Sequence, residues 1–432
     1  TMKRNRILAA LLALTLVLYV WPAIAQSVID EERTGTLRIL YPGTSGIEQA
    51  YMEKVKETFQ QQYPNVTVEI DYLVWTDLQT KFTVMVQNND WPDIVTTQDF
   101  TSYLAMGVLE ELNGYFDETL PLENFSKVGL EYTTVDGKIY SVPIGMNNWA
   151  HIANAAILEE IGWKAEDITT WDDIVAIAKA AFEKGYYGYT CAGASGGRFL
   201  FRDLSMVALS NGFSPDDTSE ETRDAYIETL QLFADLAPYM PEAQSTWGYD
   251  DQYRLFDEGK VAIMHAGTNY TSVAAPFGLN AINDVIPIGF PKGPSGSQAS
   301  CMINATALAI PTGCTQKDLA WDFIKCALSP ECIDYYIASI NMPPLLNHDQ
   351  ESLVAYADEE YFGHGAEHRA LIDKFVALAD KCGRMQPKIV GQGPMELVVQ
   401  AAMIDLLAGI VTPEECYETI KSGIDDIKAS LE

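Results

Sequence analysis

Two runs of alternating strand and helix pattern are separated by one stretch, Tyr140-Ser141-Val142-Pro143-Ile144-Gly145-Met146-Asn147-Asn148-Trp149, and that stretch limits what the chain can fold into. It is strand-like, carries Pro143 and Gly145, and breaks into Asn-Asn-Trp. A strand that closes one α/β unit and opens another implies two lobes with the chain crossing between them. Length agrees, since 432 residues exceed what one hydrophobic core usually holds. Apolar residues at 48% and aromatics at 11% suffice to fill two cores.

Leu37 to Tyr41 reads as a strand ending in Pro42-Gly43-Thr44-Ser45-Gly46. Ile47, Tyr51, Val55 and Phe59 then recur at i, i+4 spacing, the stripe of an amphipathic helix. Val66, Val68, Ile70 and Tyr72 alternate at period two, a second strand. Together they form a βαβ unit, so a parallel, helix-covered sheet is expected. A helix follows, with Thr76 or Asp77 expected as N-cap and Leu78, Phe82, Met85 and Val86 inward. Pro92-Asp93-Ile94-Val95 reads as a short strand that stops at Thr96-Thr97-Gln98-Asp99. Ligands of open α/β sheets sit outside the carboxyl ends of the strands, which draws attention to Thr44, Ser45, Trp75 and Asp99.

After residue 149 the pattern restarts. Thr170 is expected to cap a helix, with Asp172 and Asp173 favourable in its first turn. Long amphipathic helices are expected over 216–237 and 316–328, and a strand over 260–264. Val285 to Pro291 and Asn341-Met342-Pro343-Pro344 are Pro-marked like the 140–149 stretch, and are read as two further crossings. In the last helix Thr412 caps, Pro413 is N1 and Glu415 is N3, with Cys416, Ile420, Ile424, Ile427 and Leu431 on one stripe.

The N-terminus has the layout of a secretory signal peptide. Lys3, Arg4 and Arg6 precede an apolar run from Ile7 to Val20, and Ala23 and Ala25 place small residues before Gln26. An uncleaved anchor is the alternative, because the run approaches the roughly 20 residues that span a bilayer. No cysteine near the cleavage region suggests a lipid anchor, so export to the periplasm or cell surface is expected. Residues 26–35 read as a linker.

Charge is strongly acidic, with 60 Asp and Glu against 28 Lys and Arg and a net charge of −32. A polyanionic partner needs a basic patch, so no nucleic acid is expected as partner. The seven cysteines, Cys191, Cys301, Cys314, Cys326, Cys332, Cys382 and Cys416, match no zinc spacing. They read as small buried hydrophobes, with pairing among Cys314, Cys326 and Cys332 left open. No cofactor motif is present. There is no H-E-x-x-H and no G-x-S-x-G, and His364 and His368 are read as a solvated face rather than a metal pair.

The pieces in this order resemble the extracellular solute-binding proteins of ABC importers, the family 1 group that includes the maltose- and multiple-sugar-binding proteins. The resemblance is carried by Phe59-x3-Tyr63-Pro64-x-Val66-x-Val68, Asp77-x3-Lys81-Phe82, Trp91-Pro92-Asp93-Ile94-Val95 and Asp136-Gly137-Lys138-Ile139-Tyr140-Ser141-Val142-Pro143. Thr170-Trp171-Asp172-Asp173, Gly259-Lys260-Val261-Ala262-Ile263-Met264, Pro291-Lys292-Gly293-Pro294-Ser295-Gly296 and Ala320-Trp321-x-Phe323-Ile324 extend it over residues 37–345. Two departures are visible. The Gly-Gly pair common in such proteins is replaced around Ser300 to Asn304, and the Gly-x-Pro by Asn341-Met342-Pro343-Pro344.

The resemblance implies an α/β, two-lobed periplasmic-binding-protein (Venus-flytrap) fold with three interlobe crossings, closing around its ligand at a hinge. Lobe 1 would take 36–143 and 291–341, and lobe 2 would take 148–287 and 344–432. It also implies a small-molecule carbohydrate ligand, ABC permease transmembrane subunits as partners, a monomer, and no catalysis. An exported glycosidase and a membrane-anchored solute sensor are the alternatives.

A binder of neutral polyols needs flat apolar faces to stack on pyranose rings and Asp, Asn and Arg to pair hydroxyls. Trp75, Trp149, Trp247 and Tyr270 stand at strand ends or loops and are candidate platforms; each is alternatively core. Trp163, Trp171 and Trp321 lie in or beside helices and read as core. Asn269 with Tyr270, and Asp99, occupy positions where the resemblance implies a stacking aromatic and a hydroxyl-binding carboxylate. Thr44 and Ser45 belong to the first strand-to-helix loop, and Asn147 to the crossing itself. Arg198 is a candidate partner for a hydroxyl, or for a carboxylate on an acidic sugar.

Overall fold

The computed structural model of the chain describes residues 29–43, 46–97, 100–194, 197–340, 342–346, 348 and 350–431. Thr44, Ser45, Asp99, Asn341 and the N-terminal segment to residue 28 lie outside the described residues.

Strand β1 (Gly35–Pro42) leads into helix Gly46–Gln62, which buries Ile47, Tyr51, Val55 and Phe59 at the expected spacing. β2 (Val66–Leu73) and β3 (Ile94–Thr97) flank β1, both parallel to it. The parallel βαβ reading holds here. The helix between β2 and β3 spans Trp75–Gln87, with its cap position at Val74, two residues before Thr76 and three before Asp77. Val74 precedes it, with no side-chain cap; the Asp77 N–H donates to the Val74 carbonyl. Asp77 therefore lies inside the first turn, where its negative charge suits the helix dipole.

A short hairpin, β4 (Thr134–Val135) with β5 (Lys138–Ile139), precedes β6 (Val142–Asn154). All 13 residues of β6 are buried. Extended, such a strand runs about 40 Å. β7 (Tyr187–Thr190), β8 (Val261–Gly267), β9 (Val285–Ile288), β10 (Cys301–Ala309) and β11 (Gly383–Met385) follow. Among the described residues they form one nine-stranded sheet in the order β2-β1-β3-β10-β6-β8-β7, with β11 beside β10 and β9 beside β6.

β6 changes partners along its length. Residues 142–149 pair antiparallel with β10, and residues 149–153 pair with β8. The pairing slips at the Pro-Gly step: Thr306 faces Gly145 while Ala307 faces Pro143, leaving Ile144 unmatched. Proline supplies no N–H to the ladder, so a bulge there is the accommodating geometry. Met146 also exchanges two backbone hydrogen bonds with Met342, at 3.0 and 2.9 Å, so the segments at 143 and 342 lie side by side.

The segment at 285–291 does not join them. β9 pairs with residues 151–154, at the far end of β6. Phe290 and Ser300 then close a hairpin through hydrogen bonds of 2.9 and 3.0 Å, which turns the chain back into β10. The strand lying beside β6 at the crossing is thus β10. Pro287 sits on β9, which pairs on one side only, where a missing N–H is tolerated.

Helices cover both faces of the sheet. One apolar cluster gathers Leu37, Phe59, Phe323 and Ile337; another gathers Ile174, Leu204, Phe233 and Val399. Trp171 and Trp321 are core, as expected, while Trp163 is half-buried. Thr170 and Asp173 form a capping box, and Thr412 with Glu415 does the same at the last helix. That helix (Pro413–Leu431) buries Cys416, Ile420 and Ile424, and leaves Leu431 exposed at its end.

The His364–His368 reading is corrected. His368 is fully buried, its Nδ1 2.8 Å from Thr271 Oγ1, because helix Gly365–Cys382 turns that face inward. All seven cysteines are free thiols, six of them buried. No helix among the described residues is long and apolar enough to cross a membrane.

Candidate functional site

A cleft of about 730 Å³ of empty space opens where the two halves of the sheet meet. One wall comes from helix Trp75–Gln87, through Trp75, Leu78 and Gln79, with Tyr103 beside them. The opposite wall is helix Phe199–Ser210 and its cap: Arg198, Phe201, Arg202 and Ser205. β10 supplies Met302 and Asn304 as floor. Residues 386–396, including Gln386, Gln392 and Glu396, close one end.

Helical spacing explains the basic wall. Arg198 caps the helix and Arg202 follows one turn later, so both reach the same side. The Arg202 guanidinium carbon lies 3.9 Å from the Trp149 ring centroid. Burial, and then the neighbouring Arg202, pull the Arg198 pKa below its ordinary value; Glu396 and Tyr249 act the other way. Across the cleft Trp75 is half-buried, and its Nε1 donates to Glu48 Oε1 at 3.0 Å, which fixes the indole plane.

A directed chain of amides runs from the crossing strands to the end of the cleft. Asn147 Nδ2 donates to Asn304 Oδ1 at 3.1 Å, and Asn304 Nδ2 to Gln386 Oε1 at 2.6 Å. Gln386 Nε2 donates to Gln392 Oε1 at 3.3 Å, and Gln392 Nε2 to Glu396 Oε1 at 2.8 Å. Every donor points the same way because a carboxylate, able only to accept when ionised, stands at the terminus. Two strands, the residue that follows β11 and a helix (Gln392–Leu407) are thereby held in one orientation around the cleft.

Behind the basic wall lies a closed polar cluster. Asp203, His151 and His265 are fully buried. Asp203 Oδ2 is 2.8 Å from His265 Nδ1, and the Tyr189 hydroxyl bridges Asp203 Oδ1 at 3.2 Å and His151 Nε2 at 2.7 Å. Burial, then the adjacent His265, drives the His151 pKa well below its usual value, so the ring is neutral at physiological pH. Sealed from solvent, this cluster braces helix Phe199–Ser210 against β6 and β8.

Of the residues expected at a site, Trp75 and Arg198 line the cleft. Asn147 stands one hydrogen bond behind it, through Asn304. Trp149 is 6% exposed and supports Arg202 from beneath, so it is a foundation and not an open platform. Tyr270 is fully buried against Tyr253 and Phe256 and bonds Asp257, which corrects the stacking reading. Asn269 reaches Tyr249 at 3.5 Å, and Trp247 packs half-buried on the large cluster; neither lines the cleft. Thr44, Ser45 and Asp99 fall outside the described residues.

Sequence reasoning missed Arg202, Asn304, Gln386, Gln392 and Glu396. Arg202 was recoverable from its spacing to Arg198. Asn304 lies in the segment where the sequence departs from its lookalikes. The residues beyond 345 offered only helical periodicity. Among the described residues no group of three or more His, Cys, Asp or Glu is placed to hold a metal ion.

The model of the bacterial extracellular solute-binding proteins matches residues 54–358. The lactose-binding protein of Rhizobium radiobacter is 23% identical over 303 residues, covering 66% of this chain and 69% of its own. The arabinooligosaccharide-binding protein of Halalkalibacterium halodurans is 21% identical over 315 residues, covering 70% and 69%. Among solved structures, a chitin oligosaccharide binding protein superposes with a TM-score of 0.74 at 17% identity, covering 92% of this chain and 100% of its own. An ABC substrate-binding protein of Listeria monocytogenes in complex with cycloalternan gives 0.71 at 19% identity, covering 92% and 99%. These structural likenesses show the two-lobed fold.

Proposed function

The chain belongs to the bacterial extracellular solute-binding proteins, and from that premise we propose that it captures a sugar or oligosaccharide in the cleft and delivers it to an ABC permease. The observation that carries this reading is the composition of the cleft walls. Trp75 offers an aromatic face on one side, Arg198 and Arg202 offer guanidiniums on the other, and Asn304 and Gln386 bring amides to the floor and one end. Stacking plus directional polar contacts is the recognition chemistry that a pyranose ring demands. Two relatives and two structural neighbours carry saccharides in their names, which supports the same class.

No chemistry is assigned to the protein. A ligand that touches both walls binds the closed form more tightly than the open one, and that difference drives closure. The hinge is proposed at the bulge of Pro143-Ile144-Gly145, at β10, and at Met342, which exchange backbone hydrogen bonds side by side. The lobe boundaries proposed from sequence near 143–148 and 341–344 are kept, and the second crossing is moved into β10. Thr44, Ser45 and Asp99 stay as proposed cleft residues.

The protein is proposed to act as an exported monomer, with residues 1–25 as its signal peptide. Calorimetric titration against a saccharide panel, with product analysis after incubation, tests the reading. Saccharide binding without turnover is expected. Hydrolysis of the sugars, or binding of peptides and of no saccharide, would overturn it. A mature N-terminus at Gln26 is expected from sequencing the exported protein; an intact leader would favour the anchored sensor.

A further inference from the structure

We propose that the solute carries a carboxylate, as a uronic-acid-containing saccharide does, and that Arg198 and Arg202 receive it on one wall of the cleft. The inference rests on the saccharide reading above and narrows it.

The argument starts from scarcity. Basic residues are outnumbered by acidic ones 28 to 60, so an arginine here finds acidic neighbours readily. Four of the six other described arginines do: Arg33 lies 3.5 Å from Asp322, Arg38 2.6 Å from Asp90, Arg223 3.4 Å from Glu418, and Arg254 3.3 Å from Glu258. Of the remaining two, Arg369 is buried and donates to the Ile337 carbonyl, and Arg384 lies outside the cleft lining. Arg198 and Arg202 make no such ion pair among the described residues. They stand one helical turn apart on one side of one helix, an arrangement that repels. Two guanidiniums held together in the protein's cleft, with Glu396 the one carboxylate among the described lining residues and in no ion pair with either, form a place where an anion lowers the energy of the free protein.

Their surroundings set the kind of anion. Arg202 rests on the Trp149 ring, and stacking on an indole leaves the N–H groups of a guanidinium available for hydrogen bonding. A planar carboxylate matches that fork with two parallel hydrogen bonds. Glu396 also lines the cleft and is engaged by the Gln392 amide at 2.8 Å. Two arginines less one glutamate leave a surplus of one positive charge among the described lining residues. That surplus suits one carboxylate per bound unit better than a polyanion. Asp203, on the same helix, faces His265 in the sealed cluster behind the wall and does not neutralise the pair.

The test is calorimetric titration of the mature chain, at neutral pH and low salt, with matched neutral and acidic ligands. The pairs are xylotriose against the same trisaccharide with a glucuronosyl branch, and galactotriose against trigalacturonate; a sulfated galactose serves as the other anion. The acidic member is expected to bind at least about tenfold more tightly than its neutral partner. Added salt should narrow that ratio, since an exposed charge contact is screened. In Arg198→Gln the ratio should fall toward one, with the apo melting curve checking the fold. Arg202→Lys, which keeps the charge and loses the fork, should retain part of the ratio. Neutral sugars binding as tightly as acidic ones would overturn the inference and leave the saccharide reading standing. Tighter binding of the sulfated sugar would overturn the carboxylate assignment. Failure of every saccharide to bind would overturn both.

Discussion

The Arg202 guanidinium carbon sits 3.9 Å from the centre of the Trp149 ring. Trp149 belongs to the strand that threads the crossing, and Arg202 to the helix that walls the cleft. The contact therefore links the segment that would bend on closure to a side chain that would meet the solute. Tyr249 packs edge-on against the same indole, completing its enclosure.

Trp149→Ala should lower the stability of the ligand-free protein by about 3 to 5 kcal/mol, because a nearly buried indole leaves a cavity. Solute affinity should fall as well, since Arg202 loses its support. Trp149→Phe should keep most of both. Urea unfolding followed by calorimetry checks this. An unchanged apo stability in Trp149→Ala would mean that the ring faces the solute after all.

Gly267→Ala probes the same packing from the neighbouring strand. A methyl group on Gly267 would approach Trp149 Cε3 and Asn269 Oδ1 to 2.9 Å, so the indole or the loop must shift. The expected loss is about 1 to 3 kcal/mol of stability. Since Trp149 carries Arg202, the near-ultraviolet signal of the indole should change with it. An unperturbed melting temperature would show that the loop absorbs the methyl group.

Asn304→Ala cuts the amide chain at its centre and removes a cleft side chain. Asn147 Nδ2 and Gln386 Oε1 both lose their partners. Leaving such groups unpaired costs about 1 to 3 kcal/mol, so solute affinity should drop by about tenfold or more. The dissociation constant reads this directly. An affinity within error of the parent would remove Asn304 from the site.

Stability should decline as pH falls below neutrality. Burial, then the adjacent Arg369, holds the His368 pKa down to about 3, against 6.5 for an ordinary histidine. Below 6.5 the unfolded chain takes up a proton that the folded chain refuses. The contribution is therefore complete above that pH and is lost as pH drops toward the folded value. His151 shifts in the same direction, by burial first and then the adjacent His265. Chemical unfolding between about pH 7.5 and 5 should show the slope, and His368→Gln should reduce it without abolishing it. An equal slope in the variant would place the titration elsewhere.

Much of the fold was legible because strand and helix periodicity are local. Leu37 to Tyr41 and Val66 to Tyr72 declared the parallel β1–β2 pair, and Thr170 and Thr412 declared their helices. The Pro143–Gly145 break marked a slip in the β6–β10 pairing, since a residue without an N–H disturbs any ladder. The Pro-Gly signal at 287–291 falls on an edge strand and a hairpin, and the same signal can equally mark a crossing. Only the pairing of β10 with β6 and β3 separates the two. The site was less legible. Aromatics at strand ends look alike in sequence, yet Trp75 reaches the cleft, Trp149 lies beneath it, and Tyr270 is sealed in the core.

By itself the sequence determined the two-lobed α/β architecture and the solute-binding family, both written in periodicity and in ordered motifs. Tertiary structure alone decided which side chains share the cleft. Arg198, Asn304 and the Gln386–Glu396 segment are separated by long stretches of chain, and no local preference records that they meet. Their meeting is fixed by strand register and helix packing, which are settled by the whole core at once.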